Sequence, residues 1–202
     1  MARIDEQNPR AWQRMLSGRR LDLLDPSPLD IEIEDIAHGL ARVARWNGQT
    51  TGPHIFSVAQ HALLVEAITR ALVGDLDRSW RLAALMHDAP EYVIGDMISP
   101  FKAMIGGSYK AVEARLQAAI HVRFGLPAAL PPDLVKWIKT ADKGAAYLEA
   151  TRLAGFAADE ARRFFGAAPE LEEAVAARLL SPWTADEAEE AFLVRFRALV
   201  GS

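Results

Sequence analysis

The sequence contains no cysteine among its 202 residues. This absence excludes disulfide bonds, thiolate metal ligands and cysteine nucleophiles. The chain also lacks an apolar run of about 18 residues, so no helix is expected to span a membrane. The N-terminal sequence MARIDEQNPR has no apolar segment of the kind found in secretory signals. These absences together predict a soluble, cytoplasmic protein that has no contact with a membrane.

The sequence also lacks an excess of basic residues. Lys and Arg total 23 against 27 Asp and Glu, for a formal net charge of -4. Proteins that bind nucleic-acid polymers normally carry a basic excess or a basic stretch, so we expect no nucleic-acid polymer as a partner. The composition, 50% hydrophobic and 25% charged, is typical of a globular protein. The length fits a single domain over residues 1–202.

Helical periodicity dominates the spacing of the apolar residues. It predicts helices over about 57–73, 78–88, 101–124, from 133 onward and 184–200. Ser57 with Gln60, and Thr184 with Glu187, have the spacing of capping boxes at two of the helix starts. The alternation at residues 31–34 is a weak strand-like pattern. We therefore predict an all-α fold.

Several ionisable residues lie on the predicted core-facing sides of three of these helices. Burying such side chains is costly unless they are paired or bound to a metal. Any one of them alone is explained as well by a hydrogen-bonded core residue or a helix cap. Together they form two imidazoles and two carboxylates, a set that suits one divalent ion such as Mn, Co, Fe, Ni, Zn or Mg. The residues are His61, His87, Asp88 and Asp142.

The order of these residues resembles the H…HD…D tetrad of the HD-domain metal-dependent phosphohydrolases. The surrounding sequence is similar to the bacterial 5'-deoxynucleotidase branch over residues from about 35 to 153. The matching blocks are SVAQHA at 57–62, LMHDAPE at 85–91, GDMISPFK at 95–102, KTAD at 139–142 and AAYL at 145–148. Residues 36–61 resemble the phage deoxyadenosine triphosphate triphosphohydrolases about equally well. The resemblance implies an all-α HD-domain bundle with a metal site between the central helices.

The resemblance also implies that two carboxylates act beside the metal. Glu91 would orient or deprotonate the attacking water, or protonate the leaving oxygen. It would project beside the metal if the preceding helix continued through Pro90. Asp96 would take part in catalysis and contact the 3'-hydroxyl of the deoxyribose. Without the family context, a surface glutamate and an ordinary turn aspartate would explain these residues.

Four further residues are predicted to contact the substrate. Arg45 and Trp46 match an Arg-Trp pair near the site, where Arg45 would bind phosphate and Trp46 would stack on the base or close the pocket. Lys139 lies one helical turn before Asp142, which would place its ammonium near a metal-bound phosphate. Lys102 is a further candidate contact, although a solvated helix-surface lysine also explains it.

Three histidines are not assigned to the metal. His38 is expected to support packing of the N-terminal helix, His54 to lie in a loop, and His121 to lie on the surface. Two places depart from the deoxynucleotidase pattern: the stretch NGQTTGPHIF at 47–56, and Lys143, where a smaller uncharged residue is expected. Both border the expected substrate pocket, so the resemblance is more informative about the metal than about the substrate.

The sequence thus predicts a divalent-metal-dependent phosphohydrolase that releases phosphate from deoxynucleoside 5'-monophosphates. One alternative is removal of triphosphate from deoxynucleoside triphosphates, which extra cations around the pocket would favour. Hydrolysis of guanosine polyphosphates is another alternative, although no motif supports it. A non-catalytic metal-binding scaffold is a fourth, which the presence of Glu91 and Asp96 argues against. Because the related enzymes are often dimers, we expect a homodimer.

Overall fold

A computed structural model describes residues 11–97 and 107–201. Lys102 and the start of the helix predicted at 101–124 lie outside the described residues. The described chain forms a bundle of nine α-helices: α1 (Ile33–Leu40), α2 (Val58–Val73), α3 (Arg78–Leu85), α4 (Glu91–Ile94), α5 (Gly107–Arg123), α6 (Pro132–Arg152), α7 (Ala158–Phe165), α8 (Glu173–Leu179) and α9 (Ala185–Val200). Two short strands, β1 (Trp12–Arg14) and β2 (Arg20–Asp22), form an antiparallel hairpin before the bundle. The all-α prediction is confirmed, with this small hairpin added.

The strand-like pattern at residues 31–34 is not a strand. Helix α1 begins at Ile33, and its buried residues include Ile36, Ala37 and Leu40. This spacing of three and four residues places the apolar side chains on one face of a helix, and it outweighs the short alternation that precedes it. Glu32 is extended only because it is the N-cap of α1.

Helix α2 lies at the centre of the bundle. Most of its residues are buried on every side, as expected of a helix enclosed by other helices. It packs against α6, α3, α9 and α8. The Ser57 hydroxyl accepts a hydrogen bond from the Gln60 backbone N–H at 3.2 Å and so caps the helix. The start of α2 therefore has a fixed position in the core.

The capping box predicted at Ser57 is only half formed. The Gln60 side chain does not return to the backbone of Ser57. It donates instead to the carbonyls of Leu179 and Ser181 at 3.3 and 2.9 Å. Tertiary contacts at the end of α8 thus take the bond that the local pattern predicts. The box at Thr184 and Glu187 is confirmed, with both reciprocal bonds present at the start of α9.

Helix α3 ends at Leu85 and is shorter than predicted. The chain then turns through residues 86–90, where Ala89 donates its backbone N–H to the Met86 carbonyl at 3.1 Å. Pro90 has no N–H to donate to the Met86 carbonyl, so a helix could not continue regularly through this segment. His87 and Asp88 consequently lie in a turn between α3 and α4, not on a helix as the sequence pattern predicts.

Helix α4 is held by a close approach to α1. A Cβ atom added at Gly39 would lie 2.8 Å from the Cβ of Tyr92 and 2.9 Å from its carbonyl oxygen. Only glycine permits this separation between the two helices. The contact fixes the position of Tyr92 and therefore of Glu91, which begins α4. In the described part of the chain, no helix is long and apolar enough to cross a membrane.

A buried carboxylate joins three helices on the side of α2 away from its histidine. The Glu66 carboxylate accepts from Arg81 of α3 at 2.9 Å and from Arg195 of α9 at 2.7 and 3.0 Å. Glu66 is 3% exposed, and the arginine side chains are 20% and 27% exposed. One buried anion thus forms ion pairs with two partly buried cations.

Replacing Glu66 with glutamine should destabilise the protein. We expect the free energy of unfolding to fall by about 2–3 kcal/mol, because two partly buried guanidinium groups lose their anion. The measurement is urea unfolding followed by circular dichroism, with a lower midpoint and an unchanged slope. Glu190→Gln, an exposed substitution on α9, should stay within about 0.5 kcal/mol of wild type. Equal midpoints for both variants would contradict a stabilising role of the cluster.

Candidate metal centre and active site

The four predicted metal-binding residues lie together, although they come from three parts of the chain. His61 is in the first turn of α2, and Asp142 is on α6. His87 and Asp88 are supplied by the turn between α3 and α4. Because α2 packs directly on both α6 and α3, the bundle places all four side chains on one side of the central helix.

The ligand atoms of these residues converge. His87 Nε2 lies 3.0 Å from Asp88 Oδ2, and His61 Nε2 lies 3.4 Å from the same oxygen. His61 Nε2 is also 3.2 Å from Asp142 Oδ1. Two nitrogen or oxygen ligands at usual distances from one ion lie about 2.8–3.6 Å apart. One atom each from His61, His87 and Asp88 lies within 4.8 Å of the others, so this cluster could hold a metal ion.

Both histidines present an available Nε2 atom to the cluster. The Nδ1 atom of His87 lies 3.0 Å from the Ala84 carbonyl oxygen, and that of His61 lies 2.5 Å from a Glu149 carboxylate oxygen. With a metal ion bound, a proton on each Nδ1 would donate to these acceptors and the lone pair of each Nε2 would face the ion. Each Nε2 is buried without a hydrogen-bond partner. These buried, unsatisfied atoms fit a bound metal.

The charges around the cluster favour a cation at its centre. Burial and the neighbouring guanidinium lower the pKa of His61, but the surrounding carboxylates outweigh both and raise it well above its usual value. Burial raises the pKa of Asp88, whereas the two imidazoles beside it hold that pKa well below its usual range. The carboxylates therefore stay ionised at neutral pH. A divalent cation would neutralise the charge that they concentrate here.

A cavity of about 530 Å³ opens beside the cluster. Its wall includes His87, Asp88 and Asp142 from the cluster together with Glu91 and Lys139. This volume is in the range of pockets that bind small molecules. The cavity thus joins the candidate metal ligands to a carboxylate and a cation in one space large enough for a small ligand.

Glu91 lies in the cavity wall by a different route from the predicted one. Helix α3 does not continue through Pro90; a new helix, α4, begins at Glu91. The side chain is 2% exposed and faces the same cavity as His87 and Asp88. The predicted catalytic carboxylate is therefore beside the cluster, fixed by the first turn of α4.

Arg45, Trp46 and Asp96 lie together behind the cluster. Arg45 donates to Asp96 Oδ2 at 3.1 Å, and its Nε and second terminal nitrogen lie 3.4 and 3.3 Å from Glu149 Oε2. Trp46 Nε1 donates to the same Glu149 oxygen at 2.8 Å. Among the described residues that line the cavity, none of the three is present. Their predicted contacts with phosphate, base and sugar stay predictions.

The loop between α1 and α2 carries Arg45 and Trp46 in an uncommon backbone conformation. Trp46 and Asn47 have φ values of 57° and 51°, which are rare for residues with large side chains. The loop is fastened at its base, where Arg45 donates its N–H to the Phe56 carbonyl at 2.8 Å. Trp46 also packs on the rings of Phe156 and Phe165. The ring contacts hold Trp46 against α7 and the loop that precedes it.

The sequence analysis missed Glu149. Its side chain is fully buried on α6 and contacts His61, Arg45 and Trp46. Burial raises the pKa of Glu149, but Arg45 and His61 outweigh it and lower the pKa to about 2. The available signal was its spacing: Glu149 follows Asp142 by two helical turns and therefore lies on the same face of α6.

The wall of the cavity opposite the cluster was also missed. Lys110, Gln117 and His121 project from one face of α5 into it, and their spacing of seven and four residues was the available signal. Gln117 Nε2 donates to the Met86 carbonyl at 2.9 Å and lies 2.6 Å from His121 Nε2. The prediction of a surface position for His121 is wrong. The residue is 3% exposed, and burial lowers its pKa.

Two histidines left unassigned lie away from the cluster. His38, on α1, contacts Glu189 of α9 through Nδ1 at 3.1 Å, which confirms its expected support of helix packing. His54 lies in the loop before α2 and is exposed.

Comparison with known proteins identifies the family. Residues 37–181 match the family model described as 5'-deoxynucleotidase YfbR-like. The chain therefore belongs to the YfbR-like 5'-deoxynucleotidase family of the HD-domain superfamily, as the sequence blocks predict. Membership of this family implies a phosphohydrolase.

Two relatives extend the comparison. An uncharacterized protein of Rhodobacter capsulatus is 58% identical over 194 residues, which is 96% of this chain and 97% of that protein. The uncharacterized protein YfdR of Escherichia coli is 36% identical over 98 residues, 48% of this chain and 49% of YfdR. The similarity to the first relative thus extends over nearly the whole length of both chains.

Proposed function

We propose that this protein hydrolyses deoxynucleoside 5'-monophosphates to deoxynucleoside and phosphate, with one divalent metal ion held by His61, His87, Asp88 and Asp142. The observation that carries the proposal is the convergence of two unsatisfied Nε2 atoms with carboxylate oxygens beside a cavity whose wall includes His87, Asp88 and Asp142. Nitrogen and oxygen donors of this kind suit Mn, Co, Fe, Ni, Zn or Mg.

A divalent ion at this position would polarise the phosphoryl group and lower the pKa of a water molecule. The residues of the chain would supply the remaining functions. Lys139 lies in the cavity wall beside Asp142, where its ammonium would bind a phosphate oxygen. In the reaction, a water oxygen attacks phosphorus, the bond from phosphorus to the 5'-oxygen breaks, and the leaving oxygen takes up a proton. Glu91 would accept the proton of the water or deliver one to the leaving oxygen.

Arg45, Trp46, Asp96 and Lys102 complete the proposed set of substrate contacts. For Asp96 the proposed partner is the 3'-hydroxyl of the deoxyribose, and its ion pair with Arg45 would hold the carboxylate in position to accept from that hydroxyl. A small-molecule substrate, a cytoplasmic location and a homodimer stay proposals, together with the absence of nucleic-acid polymers and membranes as partners.

Removal of triphosphate from a deoxynucleoside triphosphate is a second candidate function. A groove that adjoins the cluster is lined by Asp142 and by three lysines of α6, Lys136, Lys139 and Lys143. All three lysines are exposed, and their spacing places them along one side of the helix. Three cations beside the candidate metal site could neutralise a longer phosphate chain. This observation favours the triphosphate alternative, which extra cations around the pocket support.

Product analysis should separate the two functions. The purified protein is stripped of metal, reloaded with Mn, Co or Mg, and given deoxynucleoside mono- and triphosphates. We expect orthophosphate from the monophosphates, because Lys139 lines the same cavity as the cluster and would bind the phosphoryl group beside the metal. Phosphorus NMR distinguishes orthophosphate from intact triphosphate. Release of triphosphate instead would establish the second candidate, and a metal-loaded protein that turns over no nucleotide would contradict both.

The lysine groove allows a matched test of the second candidate. If the groove binds the distal phosphates, Lys143→Gln should lower kcat/KM for a deoxynucleoside triphosphate by about tenfold or more, because a charge-assisted hydrogen bond is lost. An unchanged kcat/KM would show that the groove takes no part in binding. The kcat/KM of Lys143→Gln is compared with that of Lys110→Gln, which removes a lysine charge from the wall of the cavity but not from the groove.

A further inference from the structure

The Glu149 carboxylate makes two separate sets of contacts from one fully buried position. Oxygen Oε1 accepts from His61 Nδ1 at 2.5 Å. Oxygen Oε2 accepts from Trp46 Nε1 at 2.8 Å and from Arg45 at 3.3 and 3.4 Å. Arg45 and Trp46 can only donate, and a carboxylate at this position also lets His61 Nδ1 donate. A core-filling role alone would not require a charged residue at this position.

The contact with His61 determines how that histidine faces the cluster. With Nδ1 engaged by the carboxylate, Nε2 is the nitrogen that a metal ion could bind, and Nε2 is the atom directed at Asp88 and Asp142. Hydrogen bonds of this kind fix the tautomer and ring orientation of a metal-binding histidine and increase its basicity. His87 obtains its own orientation from the Ala84 carbonyl. Of the two histidines, therefore, only His61 depends on Glu149.

The second oxygen holds the loop before α2. Trp46 and Asn47 carry positive φ values, and such a conformation persists only where surrounding contacts outweigh its cost. The bond from Trp46 Nε1 to Glu149 is one of these contacts. Through Arg45, the same oxygen is also connected to Asp96, which lies 3.1 Å from the guanidinium.

We propose that Glu149 is a positioning residue that orients His61 toward the metal with one carboxylate oxygen and fixes the Arg45–Trp46 loop with the other. The inference deepens the proposed function, since it rests on His61 being a metal ligand. Glu149 is not part of the cavity wall, and it contacts His61 through Nδ1 rather than through the Nε2 atom that faces the cluster. It links the candidate ligand to the residues predicted to contact the substrate.

The test is metal affinity, measured without substrate. Metal-stripped protein is titrated with Co(II) by calorimetry and by its visible absorption spectrum. We expect Glu149→Gln to raise the Kd for Co(II) by about 10–100-fold and to alter the spectrum, because the amide cannot accept from every donor around it. Trp46→Phe removes one of the donors to Oε2 and leaves the contact of Oε1 with His61, so its Kd should stay within about twofold of wild type. The surface variant Glu190→Gln serves as the control and should bind Co(II) with the wild-type Kd.

A second variant covers the case in which Glu149→Gln does not fold. Glu149→Asp keeps the negative charge beside Arg45 but withdraws the carboxylate by one methylene, and we expect a Kd for Co(II) raised by about tenfold. Wild-type affinity in a folded Gln or Asp variant would overturn the proposal. An equal loss of affinity in Trp46→Phe would overturn the division between the two oxygens. Because no nucleotide is used, failure of the proposed activity leaves this test intact.

Discussion

Replacing Asp88 with asparagine should reduce phosphohydrolase activity by on the order of 10³-fold or more. A metal ion contributes several kcal/mol of transition-state stabilisation to phosphoryl transfer, and about 4 kcal/mol corresponds to this factor. Asp88 Oδ2 is the oxygen that lies within 3.4 Å of both histidine Nε2 atoms. Its loss removes the carboxylate that the two imidazoles share, so the cluster should no longer retain the ion.

The same variant should lose the thermal stabilisation that metal gives to the wild type. An ion that binds only the folded state raises Tm increasingly as its concentration exceeds its Kd, so added Mn should raise the Tm of wild-type protein and not that of Asp88→Asn. Asp75→Asn, at an exposed position after α2, should behave as wild type in both assays. Retained activity together with a retained metal-dependent Tm shift would exclude Asp88 as a ligand.

The candidate metal ligands could be found from the sequence because two independent signals coincide on them. His61 and Asp142 interrupt apolar helical faces, which singles them out without any comparison. The blocks around His87 and Asp88 then add the specificity of a family. The structure brings all four together even though His87 and Asp88 lie in a turn. For His87 and Asp88, the family motif correctly predicted a position beside the other candidate ligands, whereas the helical periodicity wrongly placed both residues on a helix.

Pairings between distant segments could not be predicted in the same way. Gln60 bonds to the end of α8 rather than to its own helix start, because two carbonyls from residues far along the chain lie within its reach. Glu149 was missed for the same reason. Its helical spacing places it in line with Asp142, but nothing local indicates that Arg45 and Trp46 lie within reach of it.

The cavity shows the same division between local and tertiary signals. Lys139 was predicted from its place one turn before Asp142, and both residues line the cavity. The opposite wall depends on how α5 lies across the turn at residues 86–90, where Gln117 reaches the Met86 carbonyl. Periodicity within α5 indicates a face but not its neighbour, so His121 was assigned to the surface although it is buried.

Replacing Glu91 with glutamine should separate metal binding from proton transfer. We expect kcat to fall by about 10²–10⁴-fold, because the amide has the same shape but can neither accept nor deliver the proton. The Kd for Mn should be unchanged, since the proposed ligands are left intact. Steady-state kinetics and calorimetric titration of the metal-stripped variant give the two quantities. Together with Asp88→Asn, which should lose both, the variant assigns each carboxylate one role.

Glu34→Gln is the matched control, because Glu34 is also an acidic residue in the first turn of a helix but is exposed. Its kcat should equal that of wild type, which separates a lost proton-transfer group from a lost charge at a helix N-terminus. A wild-type kcat in Glu91→Gln would exclude Glu91 from proton transfer. Loss of Mn binding in the same variant would instead make Glu91 a metal ligand. Helix α4 would then supply a ligand in addition to those from the turn before it.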